Sequence, residues 1–166
     1  MRCPTTSGAD PIFPYLSFMI VKDLYDPVVK QELLDRIEKL SPQSQRVWGK
    51  MSVAQMLTHL QRPIEVAYGT RTVRGNLMMR LVFPLFKKML YDHRPYPKGM
   101  PSDKTFVVKD DRDFEKEKAR LVELIRNFSP DTVTLEVHPI FGKLSKDNWS
   151  KATWKHVDHH LQQFGV

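Results

Sequence analysis

Four segments of the chain repeat apolar residues at helical spacing, each with its own start or stop signal, so the sequence is committed to packed helices. In the first, Asp26-Pro27 reads as cap and first helical residue, because proline needs no amide partner there, and Val28, Leu33, Leu34, Ile37 and Leu40 follow before "SPQS". In the second, "SVAQ" from Ser52 has the form of a capping box, and the helix should run to about Tyr68, ahead of Gly69. The third restarts near Asp111 with acidic residues in its first turn, buries Phe114, Leu121, Leu124, Ile125 and Phe128, and stops at Ser129-Pro130. The fourth starts behind Ser145 and ends at Phe164, where Gly165 follows.

Between the second and third segments lies "GNLMMRLVFPLFKKMLY", apolar nearly all round and interrupted by Arg80, Pro84, Lys87 and Lys88. It is too short between charges to span a membrane. It reads either as a kinked helix buried against the core or a second copy, or as an interfacial element whose basic residues meet lipid headgroups. Short extended pieces at Phe106–Val108 and Thr132–Val137 could pair, but they are too few for a sheet domain. The class is all-α, most simply a four-helix bundle with a long crossover that contains the extra apolar helix.

At 166 residues there is room for one domain with one core. The single cysteine, Cys3, excludes a disulfide framework and a thiolate metal site. The first 18 residues lack the apolar run of a signal peptide, so the reading is a cytoplasmic protein with a poorly ordered extension over 1–18 and one domain over 19–166. The net charge of +7 is regional: from Arg71 to Lys104 there are eight basic and two acidic residues, a local +6. Basic side chains interleaved with apolar ones suit burial or lipid better than a phosphate track, so nucleic acid is not the expected partner.

The last segment holds three histidines in "WKHVDHHLQQFG". With about 100° per residue, His160 lies roughly 80° and His156 roughly 120° from the centre of the Trp154, Val157, Leu161 and Phe164 stripe, on one flank, and His159 lies roughly opposite, toward solvent. An i, i+4 histidine pair lets two imidazoles converge on one ion, though the same spacing also serves solvated or hydrogen-bonded side chains. His59 sits roughly 100° from the centre of the second helix's buried stripe, also on a flank. If the flanks meet, three neutral imidazoles would hold a divalent ion and leave positions open to water. Gln55, one turn before His59, is placed either to orient it or to serve only the capping box. His93 and His138 read as loop histidines.

A lone histidine in a "MLTHL" second helix with an HxxxH pair in the last one resembles the DinB/YfiT-like superfamily of bacterial four-helix-bundle metalloenzymes. The phrases "SQRVWGKMSVAQMLTHL", "DFEKEKARLVELI" and "HPIFGKLSKDNWSKATWKHVDHHLQQFGV" resemble one branch of it, a domain of unknown function, over about Met19 to Val166. The resemblance implies an up-down-down-up bundle in which three histidines bind a divalent metal, nickel or zinc. By motif position these are His59, His156 and His160, with His138 near the site as a pocket or supporting residue. It also implies hydrolase chemistry, or transferase or isomerase chemistry that uses a low-molecular-weight thiol, and it names no substrate and no catalytic residue for this branch. Two further expectations come from the apolar crossover: a possible homodimer, and, as the alternative to an enzyme, a binding bundle that uses residues 71–104 against a protein partner or an anionic membrane surface.

Overall fold

The computed structural model of the chain describes residues 18–73, 77–100 and 105–166. It is mostly helical, with α1 at Pro27–Glu38, α2 at Val53–Ala67, α3 at Leu77–Val82, α4 at Phe114–Arg126 and α5 at Lys146–Gln163. A 3-10 stretch, Phe83–Leu90, continues α3, and two short strands, β1 (Val137–His138) and β2 (Gly142–Lys143), pair antiparallel just before α5.

The helix starts follow local chemistry. The Asp26 carboxylate accepts from the Val28 amide at 2.8 Å with Pro27 behind it, and Ser52 and Gln55 exchange both bonds of the capping box at 3.2 and 3.0 Å. Asp113 accepts from the Lys116 amide at 2.8 Å, two residues later than the start at Asp111 expected from the sequence, and Ser145 accepts from the Asn148 amide at 3.2 Å.

Helices α1 and α2 each pack on both α4 and α5, so the four longer helices surround one core. Its centre is Leu33, Ile37, Met56, Leu57, Leu60, Ile64, Leu121, Ile125, Phe128 and Leu161, all essentially free of solvent. The serine hydroxyl of Ser150 in α5 accepts from the Leu24 amide at 2.7 Å and binds the Asp23 carboxylate, which ties the chain ahead of α1 to the last helix.

Two expectations change, and a third lies outside the described residues. The apolar connecting stretch is not a helix buried in the core of its own chain: α3 has a single turn and a half, no residue of the 3-10 stretch is buried, and Met78, Leu81, Val82, Phe83, Leu85 and Phe86 are exposed. Pro84 explains the switch from α to 3-10, because it cannot donate to the carbonyl one turn back and the α ladder fails there. The extended pieces at Phe106–Val108 and Thr132–Val137 do not pair with each other; the only pairing among the described residues is between Val137–His138 and Gly142–Lys143. The expected N-terminal extension falls outside the described residues except for Phe18, whose ring lies 4.8 Å from that of His93.

Candidate metal centre

Helix α5 is covered almost all round, and this determines what its histidines can do. One side faces the core, while residues 41–51 and the crossover close over the other. The Val47 amide donates to the Gln163 carbonyl at 2.7 Å, and the ammonium of Lys155 donates to the carbonyls of Met89 and Asp92 at 2.6 and 2.9 Å and to the Asp92 carboxylate at 3.3 Å. Lys155 and Asp158 are therefore buried beside Val157 and Leu161.

Inside this enclosure His59 from α2 meets His156 and His160 from α5. The ring centroids are 5.0 Å apart for His59 and His156, and 4.8 Å for each of the other two pairs. One ligand-capable atom from each of the three lies within 4.8 Å of the others. The Nε2 atoms of His59 and His156 are 3.1 Å apart.

The outward nitrogens fix two of the rings. Nδ1 of His59 lies 2.9 Å from the Phe106 carbonyl, which can only accept, so this nitrogen carries the hydrogen and Nε2 keeps its lone pair. Arg62, one turn later, donates from Nη1 to the flanking carbonyls of Thr105 and Val107 at 2.9 and 3.2 Å, so α2 holds three successive carbonyls of the crossover. Nδ1 of His160 lies 2.8 Å from Oε1 of Gln163, whose own Nε2 donates to the Trp48 carbonyl at 2.8 Å. That second bond sets the amide's orientation, so His160 also donates from Nδ1 and turns its Nε2 lone pair inward. Pro63 adds a local feature: it removes the helical donor that would otherwise serve the carbonyl of His59.

The electrostatics keep the rings neutral. Burial, followed by the neighbouring imidazoles His160, His59 and His159, holds His156 well below the ordinary histidine range. Burial and His59 push His160 down to about 3, and burial lowers His59 as well. Neutral imidazole is the form that ligates a metal.

The remaining histidines and Gln55 fall elsewhere. Gln55 does not orient His59; its amide serves the capping box and donates to the Asp110 carbonyl at 3.3 Å, and Phe106 takes the place beside His59. The Nδ1 atom of His138 accepts from the amides of Ile140 and Phe141 at 3.0 and 3.3 Å, and its ring stacks on Trp149 at 5.4 Å. These contacts tie it to the turn between β1 and β2 and to Trp149 of α5. His159, expected in solvent, is half-buried with its ring 5.8 Å from Trp48 and 5.6 Å from Tyr96, because residues 41–51 and the crossover cover the face that a bare bundle would leave open. Gln163 and the Phe106 carbonyl were missed in the sequence. Gln163 at i+3 from His160 was a readable signal, whereas a loop carbonyl leaves none.

The sequence profile of a family described as "Protein of unknown function (DUF1569)" matches residues 28–165. The chain belongs to that family. The match runs from the first turn of α1 to the glycine behind α5, so it includes all three clustered histidines, Phe106 and Gln163. No curated protein and no solved structure gives a significant match. Membership in DUF1569 thus carries the domain, with no activity attached to it.

Proposed function

We propose that this DUF1569 protein is a divalent-metal-dependent enzyme of the DinB/YfiT-like type, with its four longer helices in the up-down-down-up order of that superfamily. The observation that carries the reading is the convergence of the two Nε2 atoms 3.1 Å apart, with the outward nitrogens of His59 and His160 already committed to acceptors. Two nitrogen ligands of one ion stand about 3.0–3.4 Å apart when metal–nitrogen bonds are near 2.1 Å. The donor set fits: three neutral imidazoles suit zinc or nickel, and no carboxylate or thiolate joins them among the described residues.

His59, His156 and His160 would hold the ion, which supplies Lewis acidity and a lowered pKa for a water or thiol at an open position. The other residues prepare the site. Phe106 and Gln163 fix the orientations of the His59 and His160 rings, and the hydrogen bonds they accept from Nδ1 make those imidazoles better ligands. The chemistry suited to such a site is hydrolysis, or transfer or isomerisation with a low-molecular-weight thiol. The test compares metal-stripped protein with protein reloaded with zinc or nickel, assayed for thiol addition to a model electrophile and for ester hydrolysis. A rate that returns with metal and stays absent in His156→Ala supports an enzyme, and identical rates with and without metal in both assays would remove it.

A second reading rests on a different observation, the exposed apolar run of the crossover with Arg80 and Lys88 exposed beside it. No helix among the described residues is long and apolar enough to cross a membrane, so contact with lipid would be interfacial, with the apolar side chains in the headgroup layer and the basic ones on anionic lipid. Sedimentation with phosphatidylserine-containing vesicles at low and moderate salt tests it. Binding that weakens with salt and is absent from phosphatidylcholine vesicles is expected, and no binding at either salt contradicts it.

A further inference from the structure

A second polar site lies away from the histidines, in a cleft of about 540 Å³ between α2 and α4. Arg62, Arg71, Arg112, Lys116 and Arg120 line it, against only Glu117 and Glu123. The two carboxylates are already engaged. Glu123 accepts from Arg120 at 3.0 Å, and buried Glu117 accepts from Gln61 at 2.8 Å while Arg112 stands 3.7 Å away. Arg71 and Arg112 pair outside the cleft lining, with Glu65 at 2.8 Å and Asp110 at 2.6 Å. Five cations thus meet four carboxylates, and Arg62 and Lys116 have no ion-pair partner among the described residues.

A second observation is that two guanidiniums of the lining are incompletely hydrogen-bonded. Nε of Arg62 and Nε of Arg112 are both buried without a hydrogen-bond partner among the described residues. A buried guanidinium nitrogen left unpaired is costly, and such groups in folded proteins are normally satisfied. Burial first, then the charges of Arg71 and Arg112, lowers the pKa of Arg62, with Asp110 and Glu65 opposing.

We propose that this cleft binds a small phosphate-bearing molecule, with its phosphate oxygens on Arg62 and Arg112 and its remaining charge against Arg71, Lys116 and Arg120. Guanidinium forks match the oxygens of phosphate, and several cations around one cleft suit a dianion or diphosphate better than a single carboxylate. The volume is that of a small-molecule site, larger than a lone ion needs. No histidine lines the cleft.

Calorimetric titration of the full chain with inorganic pyrophosphate tests it, at low and moderate salt, with Arg71→Gln, Arg71→Gln/Arg112→Gln and His156→Ala alongside. The arginines exchanged are partly exposed, and circular dichroism checks each variant's fold. Saturable one-to-one binding is expected, weakened by salt, weakened several-fold in Arg71→Gln, weakened at least tenfold in the double variant, and unchanged in His156→Ala. No saturable binding at low salt, wild-type affinity in the double variant, or loss of binding in His156→Ala would each overturn the proposal; the last would assign the anion to the histidine cluster.

Discussion

Gly49 has no chemistry of its own, yet it sets the position of Gln163. Its φ is +83°, in the region that favours glycine, and a Cβ there would stand 2.3 Å from Nε2 of Gln163. In Gly49→Ala the flexible Gln163 amide should move aside and release the Nδ1 hydrogen of His160. The expected result is a folded protein, less stable by about 1–2 kcal/mol from the left-handed backbone, whose zinc affinity falls roughly tenfold. Gln163→Ala should show the same loss of affinity without the backbone cost. Competition titration with a chelating dye checks both, and wild-type affinity in the two variants would remove Gln163 from the site's support. His138 gives a separate prediction in pH. Burial pushes it from 6.5 to about 4, so the unfolded chain takes up a proton that the folded one refuses. Its contribution to stability is complete above pH 6.5 and is lost as pH falls toward 4, to the extent of about 3 kcal/mol at most. His138→Asn retains an acceptor near the Ile140 and Phe141 amides and does not titrate. The stability gap between wild type and this variant, from urea melts at pH 7 and pH 4.5, should narrow at the lower pH; a constant gap contradicts the assignment.

Helix α5 depends on the crossover as much as on the core. The wholly buried Lys155 donates to two carbonyls and a carboxylate of residues 89–92, and its ammonium lies 4.5 Å from the ring centre of Tyr96. Lys155→Met fits the same space and takes the ammonium donor from the Met89 and Asp92 carbonyls, so it should destabilise the chain by about 2 kcal/mol, with Arg94 still partnering the Asp92 carboxylate. Limited proteolysis should then cut first between residues 83 and 100, and an unchanged cleavage pattern would show that the crossover is held by other means. Elements were legible where one residue carries the signal. Asp26, Ser52 and Ser145 sit at their caps, and the flank shared by His156 and His160 follows from their spacing. The crossover was not legible, because hydropathy alone cannot tell an apolar run that covers another helix from one that is itself covered. The same limit misplaced His159, whose partners Trp48 and Tyr96 come from segments with no periodicity to read.

Across the whole molecule, two features of different charge flank α2. Toward α5 it contributes His59 to a buried, neutral, nitrogen-rich cluster, and toward α4 it contributes Arg62 to a cationic cleft. The segment Thr105–Val107 joins them, since its three carbonyls accept from His59 and Arg62 together. The central claim concerns the first of these sites, and the metal content of the purified protein tests it most directly. Elemental analysis after dialysis against zinc or nickel should find one divalent ion per chain in the wild type and in His159→Phe, and none in His59→Ala, His156→Ala or His160→Ala. A wild-type protein that retains no metal, or three histidine variants that retain it in full, would contradict the account.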